Sequence, residues 1–148
     1  MSTGPLPRFL YLLGHTEEQS LVIRAAEKGL VVSIGCGHPT VERIPERIRL
    51  LFDDPIYALI GGLHYPVHGG RVYWGLLNIQ QIVSADRPPW NAINEDDVRR
   101  GIEEIREVDP QLVALSPHDS SDWSLERFRE AFGDCYRDIR VGEEIRIA

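Results

Sequence analysis

Three short apolar runs, each followed by a break in the chain and then a histidine, organise the sequence. They cover residues 30–34, 56–60 and 112–116. Short apolar runs rich in β-branched residues predict buried strands, and the glycines that follow the first two runs predict sharp exits from those strands. The histidines that follow the three runs are His38, His64 and His118.

A helix is predicted between the first two of these strands. Apolar residues recur at helical spacing over residues 41–51, with arginine and glutamate between them. Pro45 lies inside this pattern, and proline is well tolerated only in the first turn of a helix. The proline therefore favours a helix that begins nearer Ile44.

The second half of the chain predicts two further helices around the third strand. Asn94 is a suitable N-cap for a helix that Pro110 ends. Another helix is predicted over 124–132, and Gly133 follows it as a stop signal. The residues from 136 to 147 alternate enough to predict two short strands about a central glycine. Strands that alternate with helices indicate an α/β fold.

The beginning of the chain predicts extended structure. Residues 5–13 read as a strand, and residues 20–23 are expected to pair with 30–34 as a β-hairpin. From 65 to 93 the periodicity is poor, so we interpret this stretch as an insertion that forms a lid over a single domain spanning 1–148.

Composition excludes several classes of function. The net charge is −7 and no basic stripe is available to neutralise phosphates, which argues against a nucleic-acid partner. No apolar run is long enough to span a membrane, and the first residues do not resemble a signal peptide, so no membrane partner is expected. The two cysteines, Cys36 and Cys135, lie far apart in sequence, which favours a reduced chain in the cytoplasm.

The histidines that follow the predicted strands are expected to converge on one cleft. Parallel strands joined by right-handed connections end at one edge of a sheet, where ligands of open α/β sheets bind. We therefore predict a divalent metal bound by His38 and His118, with His64 and His15 as further candidates. Zinc is the first choice, and iron and manganese are alternatives. Any single histidine can instead be a simple turn residue, which is the role we assign to His68.

Three other side chains have two open interpretations each. Asp119 beside His118 is either a ligand or orienting carboxylate, or an ordinary turn aspartate. Cys36 is either a thiolate ligand or nucleophile, or a small half-buried turn residue. Trp90, in the predicted insertion, is either a residue that contacts a ligand or one that packs the lid.

The ordered motifs resemble the metallo-β-lactamase superfamily. The resemblance rests on residues 29–38 (GLVVSIGCGH), 61–64 (GGLH) and 116–118 (SPH). They are most similar to the branch of dihydropterin ribofuranosylaminobenzene phosphate synthase-like metallohydrolases, where a Gly-Cys-Ser-His loop, a Gly-Gly-x-His strand end and a late Pro-x-His occur in this order. Residues 14–21 (GHTEEQSL) also resemble the Gly-His-Thr segment of the superfamily.

This resemblance implies an αββα sandwich in which one or two metal ions activate water to hydrolyse a small-molecule substrate. It implies that His38 and His118 are metal ligands and that His64 is a ligand or contacts the substrate. It makes His15 a candidate ligand and Asp119 a neighbour of the site. It identifies no catalytic residue in this chain.

One part of the superfamily pattern is absent, the first metal motif His-x-His-x-Asp-His. The resemblance therefore covers only the C-terminal half of the sandwich, a mixed sheet with helices packed on it. We expect such a half to be weakly active or inactive alone, and to associate with a second copy or with a complementary N-terminal half chain. The alternative is a non-catalytic metal-binding or interaction half-domain, which acts as a homodimer or with a complementary chain.

Overall fold

A computed structural model of the 148-residue chain describes residues 2–5, 17–37, 40–69, 73–74, 77–78, 92–118 and 120–147. Its strands are β1 (Ser2–Pro5), β2 (Glu17–Ala25), β3 (Gly29–Ile34), β4 (Ile56–Gly61), β5 (Tyr73–Trp74), β6 (Leu77–Asn78), β7 (Leu112–Leu115) and β8 (Tyr136–Asp138). Its α-helices are α1 (Thr40–Arg49), α2 (Glu95–Val108) and α3 (Asp122–Phe132).

The main sheet is mixed and has the strand order β1-β2-β3-β4-β7-β8. The pairs β1–β2 and β2–β3 are antiparallel, whereas β3–β4, β4–β7 and β7–β8 are parallel. The turn between β2 and β3 is short, so the predicted β-hairpin is confirmed. The predicted α/β fold, with a mixed sheet and helices packed on it, is also confirmed.

One face of the sheet forms the main hydrophobic core with the helices. β3 and β7 contribute alternate side chains to this face, as the two-residue period of a strand requires. The helices contribute the apolar stripe that their sequences predict. The fully buried side chains of this core include Leu30, Val32, Ile44, Ile48, Leu59, Val98, Ile105, Val113 and Phe128.

The opposite face of the sheet is covered only in part by the described residues. Val31, Ala58 and Leu112 form a second small cluster, and Ile145 and Ile147 pack against it. On the same β-hairpin, Leu21 is 61% exposed and Ile23 is 50% exposed. The second face therefore offers an apolar surface beside the area that residues 139–147 cover.

The prediction of two short strands over 136–147 is wrong in its second half. β8 ends at Asp138, and residues 139–147 form no strand. Ile145 and Ile147 lie in a part of the segment that forms no strand, and their side chains pack on the sheet face. Burial of alternate side chains thus produced a strand-like pattern without strand pairing.

The first helix begins earlier than Pro45 suggests. α1 starts at Thr40, so the expectation of a start near Ile44 is wrong. Pro45 lies beyond the first turn and cannot donate a backbone hydrogen bond there. Ile44 and Ile48 are completely buried, and α1 packs against α2. Tertiary packing therefore outweighs the local cost of the proline.

The other two helices are close to their predictions. Asn94 caps α2, since its side chain accepts hydrogen bonds from the backbone N–H groups of Asp96 and Asp97. The third helix begins at Asp122, two residues before the predicted start, and Ser121 is its N-cap. The Oγ of Ser121 accepts the N–H of Ser124 at 3.2 Å, so Ser124 lies inside the first turn.

Two predictions concern stretches that the structure describes only in part. Most of the strand predicted over 5–13 lies outside the described residues. Of the insertion predicted over 65–93, the structure describes residues 65–69, the antiparallel pair β5–β6 and residues 92–93. Its role as a lid, and the single domain over 1–148, stay predictions. Among the helices in the described ranges, none has the length and apolar character needed to cross a bilayer.

Candidate functional site

The parallel strands of the sheet end side by side. Ile34 at the end of β3 pairs with Gly61 of β4, Gly61 pairs with Leu115 of β7, and Leu115 pairs with Asp138 of β8. The loops that follow β3, β4 and β7 therefore leave the sheet along one edge. In open α/β sheets this carboxyl edge is where ligands bind.

The loops after β3 and β4 are in direct backbone contact. The N–H of Gly62 donates to the carbonyl oxygen of Gly35 at 2.9 Å. A Cβ atom on Gly37 would stand 2.4 Å from the carbonyl oxygen of Gly62, and one on Gly62 would stand 2.5 Å from that of Gly35. Neither position can hold a side chain without movement of the backbone. The glycines that marked these strand exits in the sequence thus allow the two loops to approach closely.

The end of β4 is joined to β7 as well. The N–H of Ser116 donates to the carbonyl oxygen of Gly61 at 2.8 Å. Gly61 has a φ of +134°, a conformation that favours glycine. All three strand ends are therefore fixed to one another by backbone hydrogen bonds.

His64 lies in the loop directly after this junction. It is 5% exposed and has a φ of +52°, which is uncommon for a residue with a side chain. Such strain persists only where the surroundings enforce it, and it is often found at functional sites. The next residue, Tyr65, is fixed by a hydrogen bond in which its N–H donates to the Oγ of Ser120 at 3.2 Å.

Three buried serines connect the His64 loop to the start of α3. We call Ser120, Ser121 and Ser124 the serine cluster. The carbonyl oxygen of Tyr65 accepts two hydrogen bonds from it, one from the N–H of Ser121 at 3.1 Å and one from the Oγ of Ser124 at 2.7 Å. The Oγ of Ser121 also donates to the carbonyl oxygen of Val67. The serine cluster thereby connects the His64 loop to the segment that follows His118.

Replacing Ser124 with alanine tests this connection. We expect the change to lower the free energy of unfolding by about 1–2 kcal/mol, because a completely buried hydroxyl loses its hydrogen bond to the Tyr65 carbonyl. Urea denaturation measures the change. Ser33→Ala, at an exposed position of β3, is the control and should shift stability by less than about 0.5 kcal/mol. Equal effects of the two variants would contradict a structural role for the Ser124 hydroxyl.

The structure describes three of the predicted site residues. His64 is buried, His118 is exposed, and Cys36 is half-buried. The N–H of His118 donates to the Oγ of Ser116 at 3.2 Å, which fixes the turn after β7. Cys36 and Cys135 form no disulfide. The structure therefore places His64 and His118 on loops that leave neighbouring strands.

The other predicted site residues lie outside the described part of the chain: His15, His38, Trp90 and Asp119. Within the described part, no group of three or more histidine, cysteine or acidic side chains could hold a metal ion. The described donors fit a metal in type, since imidazole is a common ligand, but they do not complete a site. The metal site and its ligand set stay predictions.

Two acidic residues at this edge were missed by the sequence reasoning. Glu18 of β2 extends to the loop after β3, where its Oε1 accepts the N–H of Gly37 at 2.5 Å. If the antiparallel pairing of Ser20 with Ile34 is continued towards the start of β2, Glu18 lies opposite that loop. The register of the predicted hairpin was therefore the signal that could have identified it.

Asp138, the second missed residue, ends β8 at the same edge. The guanidinium of Arg129 donates to its Oδ1 at 2.9 Å, and Arg140 lies 3.7 Å from its other oxygen. Burial, with a contribution from Asp138, raises the pKa of Tyr136 to about 12. Asp138 is thus part of an ion-pair network that includes Arg129 of α3.

His68 contacts helices instead of the strand ends. Its Nε2 lies 2.5 Å from the Oε1 of Glu95, and its ring meets the ring of Trp123 edge-on at 4.9 Å. The residue is more than half exposed. These contacts agree with the simple surface role that the sequence indicated.

Comparison with known proteins shows which known fold this chain resembles. No protein-family model matches the sequence, and no curated protein sequence matches it. A solved structure, Tm1679, described as a metal-dependent hydrolase of the β-lactamase superfamily, superposes with a TM-score of 0.63 at 20% sequence identity. The match covers 90% of this chain and 42% of that structure. The chain therefore has the fold of part of a metallo-β-lactamase superfamily structure.

Proposed function

We propose that this chain forms part of a metal-dependent hydrolase of the metallo-β-lactamase superfamily. The observation that carries the proposal is the common edge at which β3, β4 and β7 end in register, with His64 and His118 on the loops that leave it. The similarity to Tm1679 supports the general kind of activity. The order of motifs in the sequence supports the dihydropterin ribofuranosylaminobenzene phosphate synthase-like branch and a small-molecule substrate.

In this proposal His38 and His118 bind a divalent metal, and His64 and His15 are further ligands or contact the substrate. A divalent ion held by these residues would supply a Lewis acid and would lower the pKa of water, which is the chemistry that hydrolysis near neutral pH requires. Zinc is the first candidate, with iron and manganese as alternatives. The exposure of His118 suits a ligand at an open, substrate-accessible position.

The neighbouring side chains have supporting roles in the proposal. Asp119 orients the His118 loop, Cys36 lines the turn before His38, and Trp90 contacts the substrate from the insertion. The buried position of His64, fixed through Tyr65 and the serine cluster, suits a group that must keep one orientation.

We further propose that a complementary chain with the motif His-x-His-x-Asp-His covers the second face of the sheet. This chain spans 42% of the Tm1679 structure, so more than half of that fold has no counterpart in it. Leu21 and Ile23 are exposed on the second face beside the cluster that Ile145 and Ile147 cover. Apolar surface of this kind is stabilised by a partner layer. A cytoplasmic location remains a prediction from the cysteine content.

Metal content is the first experiment for the proposed function. We expect the purified chain to bind Zn²⁺ in calorimetric titration, and His118→Ala to weaken binding by more than about tenfold, because an imidazole ligand is removed. His118 is exposed, so the variant should fold. His68→Ala, which removes an imidazole that contacts Glu95 and Trp123, is the matched control and should bind like the wild type. Absence of Zn²⁺ binding by the folded wild-type chain would contradict the proposal.

Activity on mixing and mass in solution distinguish the two kinds of partner. If the partner is a complementary half, this chain should gain hydrolase activity when it is mixed with a chain that carries the missing motif. The second candidate function, a non-catalytic half-domain that forms a homodimer, rests on the same exposed apolar face. It predicts a dimer by light scattering that Leu21→Glu dissociates, and no activity on mixing.

A further inference from the structure

A carboxylate from β2 holds the loop that follows β3. The Oε1 of Glu18 accepts the N–H of Gly37 at 2.5 Å, in a partly buried position. The same oxygen would lie 3.5 Å from a Cβ atom on Gly35, so it also borders the start of the loop. Gly37 directly precedes His38 in the sequence. Glu18 therefore fixes the backbone at the residue before the first predicted metal ligand.

The loop needs such an anchor because of its glycines. Gly37 has a φ of +83°, and a glycine loses more conformational freedom on ordering than any other residue. On its other side the loop is fixed by the hydrogen bond from Gly62 to Gly35. That bond holds the start of the loop, whereas the Glu18 carboxylate holds its end. A hydrogen bond to an ionised acceptor is stronger than one between neutral groups.

We propose that Glu18 is a positioning residue, which orders residues 35–37, the loop that directly precedes the predicted metal ligand His38. This inference rests on the proposed function, since it assumes that His38 binds metal. Its structural part, the order of the loop, does not depend on metal. A ligand held in advance binds more tightly, because less entropy is lost when the complex forms.

The experiment compares Glu18→Ala and Glu18→Gln with the wild type and with Gln19→Ala. Gln19 is the next residue of β2 and is exposed, so its variant controls for changes to the strand. Glu18→Gln keeps an oxygen acceptor but removes the charge. Two methods are applied to each protein. NMR of the apo protein gives the hydrogen-exchange rate and chemical shift of the Gly37 amide, and calorimetric titration gives the Zn²⁺ affinity. Exchange at Val32, in the centre of the sheet, shows whether the variants stay folded.

We expect Glu18→Ala to raise the exchange rate of the Gly37 amide by about tenfold, and to weaken Zn²⁺ binding by about tenfold, with unchanged exchange at Val32. Glu18→Gln should restore most of both quantities, and Gln19→Ala should match the wild type. A variant that only destabilised the fold would raise exchange at Val32 as well.

Each contrary outcome identifies which part fails. Equal Gly37 exchange in Glu18→Ala and the wild type would overturn the positioning role, whether or not metal binds. Faster Gly37 exchange with unchanged Zn²⁺ affinity would overturn the link from Glu18 to His38. If the wild type binds no Zn²⁺ while Gly37 exchange still depends on Glu18, the proposed metal function fails and the ordering of the loop by Glu18 stands.

Discussion

Replacing Gly61 with alanine is expected to lower the free energy of unfolding by about 4 kcal/mol. A Cβ atom at this position would stand 1.9 Å from the carbonyl oxygen of Ile34, a backbone atom that cannot turn away. The φ of +134° adds strain for any residue with a side chain. This clash is relieved only if β3 and β4 move apart, and the movement also separates the loops that follow the two strands. Urea denaturation measures the loss of stability.

Gly133→Ala is the matched control for this prediction. Gly133 also has a positive φ, +49°, but no atom lies within 4 Å of the place where its Cβ would stand. Its replacement should therefore cost only the backbone strain of a φ of +49° with a ψ of −119°, about 2 kcal/mol. The difference between the two variants isolates the contact with Ile34. Similar losses of unfolding free energy at the two positions would show that the close approach of β3 and β4 does not account for the effect of Gly61→Ala.

Gly101→Ala should have the second largest effect, about 2–3 kcal/mol of lost stability. Alanine is the better helix former by about 1 kcal/mol, so helix propensity alone predicts the opposite sign. A Cβ atom on Gly101 would however stand 2.1 Å from the hydroxyl oxygen of Tyr65 and 2.9 Å from the Cζ of its ring. The ring is buried against Phe128, with the ring centres 5.6 Å apart, so it cannot move away easily.

A double-mutant cycle with Tyr65→Phe tests this mechanism. Removing the hydroxyl opens space for the new methyl group, so the double variant should recover at least about 1 kcal/mol relative to the sum of the single changes. Denaturant midpoints of the four proteins provide the coupling energy. Additive effects would mean that the helix, and not the Tyr65 side chain, accounts for the loss.

The sequence predicted the elements whose signal is local. The buried strands β3, β4 and β7 were recognised from their apolar runs, and the capping side chain of Asn94 located the start of α2. The glycines at the strand exits were identified as breaks. Their second role, the close approach of neighbouring loops, depends on atoms distant in sequence and was not visible.

The predictions that failed depended on distant contacts. α1 extends through Pro45 because Ile44 and Ile48 are buried in the main core, which local propensity does not include. The segment 139–147 forms no second strand, because Ile145 and Ile147 pack on a face of the sheet instead of pairing with a neighbouring strand. For the candidate site, the histidines were visible in the sequence and the hairpin register could have identified Glu18, whereas the serine cluster emerges only from the folded arrangement.

The order of strand pairing has a consequence for the way the chain folds. β2 and β3 meet through a short turn, so they can pair early and rapidly. The parallel strands β4 and β7 are added only after long stretches of chain have been closed into loops, which slows their docking. The edge with the histidine loops is completed in these later steps. Until then the isolated hairpin exposes both of its apolar faces, so crowded nascent chains would be most prone to aggregate at Leu21 and Ile23.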